Sequence, residues 1–224
     1  MALILSIDTA TERAVVCMGD DEKIIYFTEN ADQKSHASFV QSAIEAMVRK
    51  TGIALLQVDA IAVSIGPGSY TGLRVGLASA KGIAYALNKP LIALNTLDVM
   101  AKNAILQFRQ EDLLYCPMID ARRMEVFTAV YNASLENIYP AAAVVLTENT
   151  FQEFSNKDIL FFGSGMPKWK AAFNRPNARY ATVPHIHEGL NALAINKFHE
   201  KEFADVAYAE PYYIKSFYTK AATK

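Results

Sequence analysis

The sequence has little of what marks a metalloprotein or a dedicated nucleic-acid binder. It holds 2 cysteines, Cys17 and Cys116. Both sit in apolar runs, where cysteine behaves as a small hydrophobe. No CxxC or other zinc spacing is present, and two lone cysteines suit a reducing cytosol. Neither charge sign is in excess: 22 Lys and Arg face 23 Asp and Glu, for a formal net charge of -1. Phosphate contacts need Lys and Arg, so this balance argues against strong RNA binding by the chain alone and leaves only a local basic patch open. No segment reaches the ~20 apolar residues of a membrane span. The opening Met1–Asp8 lacks the basic n-region and cleavage site of a signal peptide. These absences predict a soluble, cytoplasmic protein with no membrane partner.

What is present is material for a core. The 224 residues are 52% hydrophobic and 20% charged, enough for one large domain or two small lobes. Leu3–Ile7, Ala14–Met18 and Lys23–Thr28 read as a three-strand antiparallel meander. A helix follows, with Ser35 as its N-cap and Phe39, Val40, Ala43, Ile44, Met47 and Val48 on one apolar stripe. Ala60–Ile65 is a buried strand that runs into a glycine-rich turn. Leu73–Leu87 (helix), Leu91–Leu94 (strand) and Leu97–Phe108 (helix) come next.

The pattern then restarts. Leu114–Ile119 is a strand whose Pro117 predicts an edge or a bulge. Val126–Tyr131 and Ile138–Thr147 are further strands, and Thr150–Ser155 is a short helix. Ile159–Phe162 enters Gly163-Ser164-Gly165, followed by helices around Lys168–Phe173 and Leu190–His199. Ile7-Asp8 before Ala14–Met18 overlays Ile119-Asp120 before Val126–Val130. The expected fold is α/β: two pseudo-symmetric lobes, 1–108 and 109–224, each a mixed sheet flanked by helices.

A cleft between such lobes would gather Asp8, Gly66, Gly68, Ser69, Gly72, Asp120, Gly163 and Gly165 at strand ends, where ligands of open α/β sheets bind. Gly66-Pro67-Gly68-Ser69-Tyr70-Thr71-Gly72 puts backbone N–H groups at a helix start and suits an anion, yet no Gly-Lys-Ser/Thr follows as in a phosphate-binding Walker loop. A structural turn is an equal reading. Asp8 and Asp120 could hold Mg²⁺ through water or close Asx-turns. Arg122 and Arg123 would compete with a metal at Asp120; they could bind phosphate or pair with Glu125. Gly72, Gly76, Ala80 and Ala84 recur every four residues, a smooth stripe that packs on the chain's own sheet or on a partner. With Phe39, Ala43 and Met47 it forms the candidate partner surface. His185-Ile-His187 could be a metal pair, but solvated loop histidines are the favoured reading. No catalytic group and no metal site is assigned. The tail Lys215–Lys224 reads as loosely ordered.

Gly66–Gly76 resembles the signature of the TsaB family, also called YeaZ. Leu5–Thr11, Lys81–Ala84, Asp120–Phe127 and Glu210–Ile214 are similar to further family motifs, so the resemblance covers nearly the whole chain. It implies a fold of two actin-like (ribonuclease H-like) lobes. It also implies a partner role with the paralogue TsaD and the ATPase TsaE in placing threonylcarbamoyl on the adenosine next to the anticodon. The tRNA would be met only through that complex, with a homodimer in isolation, and the cleft would be vestigial. ATP or ADP with Mg²⁺ at an interface of the complex stays open. TsaD-type catalysts carry a metal-binding His-x-x-x-His; Thr96 and Met100 take those two places here, and both are poor ligands for a hard cation. Stand-alone alternatives are a metallopeptidase of the glycoprotease type or an ATP-dependent phosphotransferase.

Overall fold

The computed structural model describes residues 1–21, 23–32, 36–183 and 186–215. Ser35, His185 and the tail beyond 215 lie outside the described residues. The chain runs β1 (Leu3–Asp8), β2 (Ala14–Asp20), β3 (Lys23–Asn30), α1 (His36–Thr51), β4 (Ala60–Gly66), α2 (Tyr70–Leu87), β5 (Leu91–Asn95) and α3 (Thr96–Phe108). It continues through β6 (Leu114–Asp120), β7 (Glu125–Tyr131), β8 (Asn137–Val145), β9 (Ile159–Phe162), α4 (Met166–Ala172), β10 (Ala178–Tyr180) and α5 (His187–Glu200).

The two five-stranded sheets are ordered β3-β2-β1-β4-β5 and β10-β9-β6-β7-β8. In each, two antiparallel pairs are followed by two parallel ones. The meander arises where short turns join consecutive strands, and the parallel pairs arise where a longer segment must cross over. The restart read from the sequence is therefore a repeated topology, and the fold is two pseudo-symmetric α/β lobes. The repeat is imperfect. The helix between β3 and β4 has only a short 3₁₀ turn, Gln152–Phe154, as its counterpart.

One expectation needs correcting. Pro117 is not at an edge: β6 is the central strand, between β9 and β7. Its ladder with β7 lapses between Tyr115↔Tyr131 and Met118↔Thr128. There the Thr128 hydroxyl donates to the Pro117 carbonyl at 2.7 Å, which serves that carbonyl beside a residue with no N–H to offer.

Packing also crosses between residues 108 and 109. Leu190, Leu193, Ala194 and Ile195 of α5 pack on Ile4, Cys17, Ala62 and Ile92 of the first sheet. Leu97, Met100, Ala101 and Ala104 of α3 pack on Tyr115, Ile119, Tyr131 and Phe162 of the second. Each sheet is thus roofed in part by a helix from the other half of the chain. α1 and α2 cover the opposite face of the first sheet.

Both cysteines are buried, as their apolar neighbours predict, and burial pushes both thiols up to about 12. His187 is 8% exposed and stacks on Phe27 with ring centroids 3.8 Å apart, so it is a packed residue rather than a solvated one. No helix among the described residues is long and apolar enough to cross a membrane.

Candidate functional site

The glycine turn joins β4 to α2. Ser69 caps the helix by accepting from the Gly72 N–H at 3.2 Å, a favoured N-cap arrangement. The Ser69 N–H in turn donates to the Ala10 carbonyl at 2.7 Å. These bonds bring the loop after β1 against the start of α2. Across from them lies the β6–β7 hairpin tip. Gly68, Ser69, Tyr70 and Thr71 on one wall and Asp120 and Arg122 on the other line a cleft of about 430 Å³. A smaller opening of about 190 Å³ adjoins it, lined by Thr11, Glu12, Met100 and Gly163 among others.

The cleft gathers only part of the expected set. Gly68, Ser69 and Asp120 face it, and Gly163 lines the smaller opening. Asp8, Gly66, Gly72 and Gly165 are buried below the surface. Asp8 is 0% exposed. One of its oxygens accepts from the Ala10 N–H at 2.9 Å and the other from the Ser64 hydroxyl. That is the Asx-turn reading, and it replaces the exposed carboxylate that could have held a metal through water.

Asp120 is half exposed, but Lys168 lays its Nζ 2.7 Å from Oδ1 and the Arg122 N–H donates to the same oxygen at 2.6 Å. The Lys168 ammonium foremost, helped by that amide, outweighs desolvation and holds the carboxyl below the usual carboxylate range. A magnesium–nucleotide pair therefore does not fit these carboxylates: one is buried in a turn and the other is neutralised by a lysine. Lys168 was not singled out from sequence. It shares a short helix with Lys170, and only the tertiary fold places it opposite Asp120.

The expected partner stripe turns inward. Ala43, Met47, Ala80 and Ala84 are at most 4% exposed, Gly72 and Gly76 are also buried, and Phe39 is partly buried. A Cβ on Gly72 would stand 2.0 Å from the Thr9 carbonyl oxygen, and one on Gly76 would stand 2.3 Å from Thr9 Oγ1. The small residues let α2 lie close on its own sheet and β1–β2 loop. The face of α2 left in solvent carries Arg74, Ala78, Gly82, Tyr85 and Ala86.

Thr96 and Met100 sit at the start of α3, 0% and 8% exposed, beside an apolar cluster that includes Leu97 and Ala101. Among the described residues no group of three or more His, Cys, Asp or Glu side chains is placed to hold a metal.

A second feature escaped the sequence reading. Residues 204–215 form a strap over the first lobe. Ala204 bridges to Leu91, and Lys81 Nζ donates to the carbonyls of Ala207 and Ala209 at 3.0 Å each. The Tyr212 N–H donates to the Ile65 carbonyl at 2.7 Å. Arg74 Nε donates to the Tyr213 hydroxyl at 3.1 Å while the guanidinium stacks 3.9 Å from the Tyr70 ring centroid. Lys215 then reaches Glu125 of the second lobe at 2.5 Å.

Known proteins agree with this architecture. The family model described as TsaD, tRNA N6-adenosine threonylcarbamoyltransferase, matches residues 29–220. The tRNA threonylcarbamoyladenosine biosynthesis protein TsaB of Bacillus subtilis (strain 168) is 32% identical over 165 residues, 71% of this chain and 70% of that one. The chain belongs to the TsaB family. The Escherichia coli (strain K12) TsaB is 28% identical over 222 residues, 95% of this chain and 94% of its own length. Among solved structures, YeaZ from Pseudomonas aeruginosa superposes with a TM-score of 0.82 at 25% identity, covering 95% of this chain and 100% of that chain. TsaB membership with a match to a TsaD-type model is what paralogues sharing one two-lobed fold produce.

Proposed function

We propose that this chain is a non-catalytic accessory subunit of the cytoplasmic machinery that transfers threonylcarbamoyl to the adenosine next to the anticodon of tRNA. It binds and activates a TsaD-type catalytic paralogue. A TsaE-type ATPase joins the same complex, tRNA is met only there, and the isolated chain forms a homodimer through the same face. Family membership supports the pathway. The apolar setting of Thr96 and Met100 and the engaged carboxylates of Asp8 and Asp120 support an accessory rather than a catalytic role.

The observation that carries the association is Gly82. It lies in the second half of an 18-residue helix, and among the described residues a Cβ placed on it would meet nothing within 4 Å. Glycine inside a helix costs about 0.5–1 kcal/mol relative to alanine, and none of the described residues requires it. With Ala78 and Ala86 at i−4 and i+4, it forms an exposed smooth stripe on which another helix can approach closely. Tyr85, 83% exposed, stands beside it. Across the outer surface Gln41 of α1 donates to the Ser79 hydroxyl at 3.2 Å, so α1 and α2 present one face.

The test pairs the chain with the catalytic paralogue and measures association and threonylcarbamoyl transfer to tRNA. The wild-type chain should stimulate transfer. The Ala78→Arg/Gly82→Arg variant should fold, fail to associate and give no stimulation. A wild-type chain with no effect on the paralogue would overturn the reading.

A further inference from the structure

The β6–β7 hairpin tip holds two successive non-glycine residues in left-handed conformation, Arg122 at φ 66° and Arg123 at φ 48°. They begin the three-residue loop between the paired Ala121 and Glu125, and left-handed backbone in such a turn favours Gly, Asn or Asp. An L-residue other than Gly, Asn or Asp pays about 1–2 kcal/mol to sit there, so two arginines in the turn are costly. The tip is pinned all the same. Arg122 N–H is held by Asp120, Lys168 Nζ binds the Arg123 carbonyl at 2.9 Å, and the Glu125 N–H donates to the Arg122 carbonyl at 3.2 Å.

The same contacts consume the nearby acids. Asp120 is taken by Lys168 and Glu125 by Lys215. Sequence reasoning offered Glu125 as a partner for these arginines, and the strap occupies it instead. Among the described residues neither guanidinium has a carboxylate within salt-bridge distance, and both side chains are exposed. Arg122 lines the cleft together with Tyr70, and Arg74, also exposed and without a carboxylate partner among the described residues, lies on Tyr70. The rim thus carries three arginines and an aromatic ring; the acids that line the cleft are Glu12 and Asp120, and Asp120 is already paired with Lys168.

We infer that this rim, Arg122 and Arg123 foremost, contacts backbone phosphates of an RNA when a partner brings it to the cleft mouth. The inference rests on the accessory-subunit reading and names where this chain meets the nucleic acid. Guanidinium forks match phosphate geometry, and arginine beside an exposed aromatic ring is a recurrent RNA-binding pairing. The net charge of -1 gives no general attraction to polyanions, so the contact matters once the RNA is already held nearby.

The test uses the complex with the catalytic paralogue and measures tRNA affinity over a salt series. One variant is Arg122→Gln/Arg123→Gln. The other, Arg122→Asn/Arg123→Gly, relaxes the turn and folds at least as well. Both should weaken tRNA binding about 10-fold and make the slope of log affinity against log salt shallower by about 1.4–1.8, as for two lost phosphate contacts. Affinity and slope unchanged in an intact complex would overturn the inference. Loss of paralogue affinity with tRNA binding per complex unchanged would reassign the arginines to a protein contact and overturn it as well. A wild-type chain that never joins the paralogue would instead sink the accessory-subunit reading, and this inference with it.

Discussion

The Thr9 hydroxyl oxygen stands 2.3 Å from the point a Cβ would take on Gly76. The same hydroxyl donates to the Gly72 carbonyl at 2.6 Å, so the β1–β2 loop and α2 are locked by one side chain. Gly76→Ala should destabilise the chain by about 1–3 kcal/mol, the usual cost of forcing bulk into a packed site. Thr9→Ala should cost less in the Gly76→Ala background than alone, because removing the hydroxyl makes room for the methyl. Urea unfolding of the four proteins checks this, and strict additivity would disprove the contact.

Asp120 and Lys168 predict a pH response. The folded carboxyl titrates below its unfolded value. The pair therefore stabilises the fold above the unfolded value and loses that contribution as pH falls through the folded one. Carbon NMR should find the Asp120 midpoint below the usual carboxylate range in the wild type and raised toward it in Lys168→Met. The effect on unfolding stability should be small, since the carboxylate is half exposed and solvent screens the pair.

Gly82→Ala should raise the stability of the isolated chain by about 0.5–1 kcal/mol, read as a higher unfolding midpoint. The same methyl intrudes on a helix-to-helix contact and should weaken association with the paralogue. A destabilised chain would mean that the glycine serves the fold itself.

Lys81 holds two carbonyls of the strap. Lys81→Met should leave the sheets intact and speed amide exchange at Tyr212, whose N–H is bonded to Ile65, and at Ala209, bonded to Asp205. Unchanged protection at both would show that the strap is held without the lysine.

Much of the fold was legible because each lobe announces itself locally. The apolar runs Leu3–Ile7 and Leu114–Ile119 each end at an aspartate, and the glycine turn after Ile65 has its weaker counterpart after Phe162. What stayed hidden depends on which side of an element faces inward. Spacing of four shows that Gly72, Gly76, Ala80 and Ala84 share a face, but a small residue suits a strand of its own sheet as well as a partner's helix. The outward stripe through Gly82 has the same period and carries no sign of its exposure. Asp8 looked accessible because it ends a strand; its burial depends on Ser64, which is distant in sequence. β10 is three residues of mixed polarity, Ala178-Arg179-Tyr180, and only its pairing with β9 makes it a strand. Lys168 and Lys215 find their carboxylates only through the tertiary fold.

The exchanged helices α3 and α5 decide how the molecule comes apart. A fragment ending at 108 would leave Ile4, Ala62 and Ile92 without the cover of Leu190 and Leu193, so neither half has a complete roof by itself. Unfolding should be one cooperative transition rather than two. Motion between the halves has to slide α3 along α5, a shear of packed helices, because swinging the lobes apart on a hinge would strip a sheet of its cover.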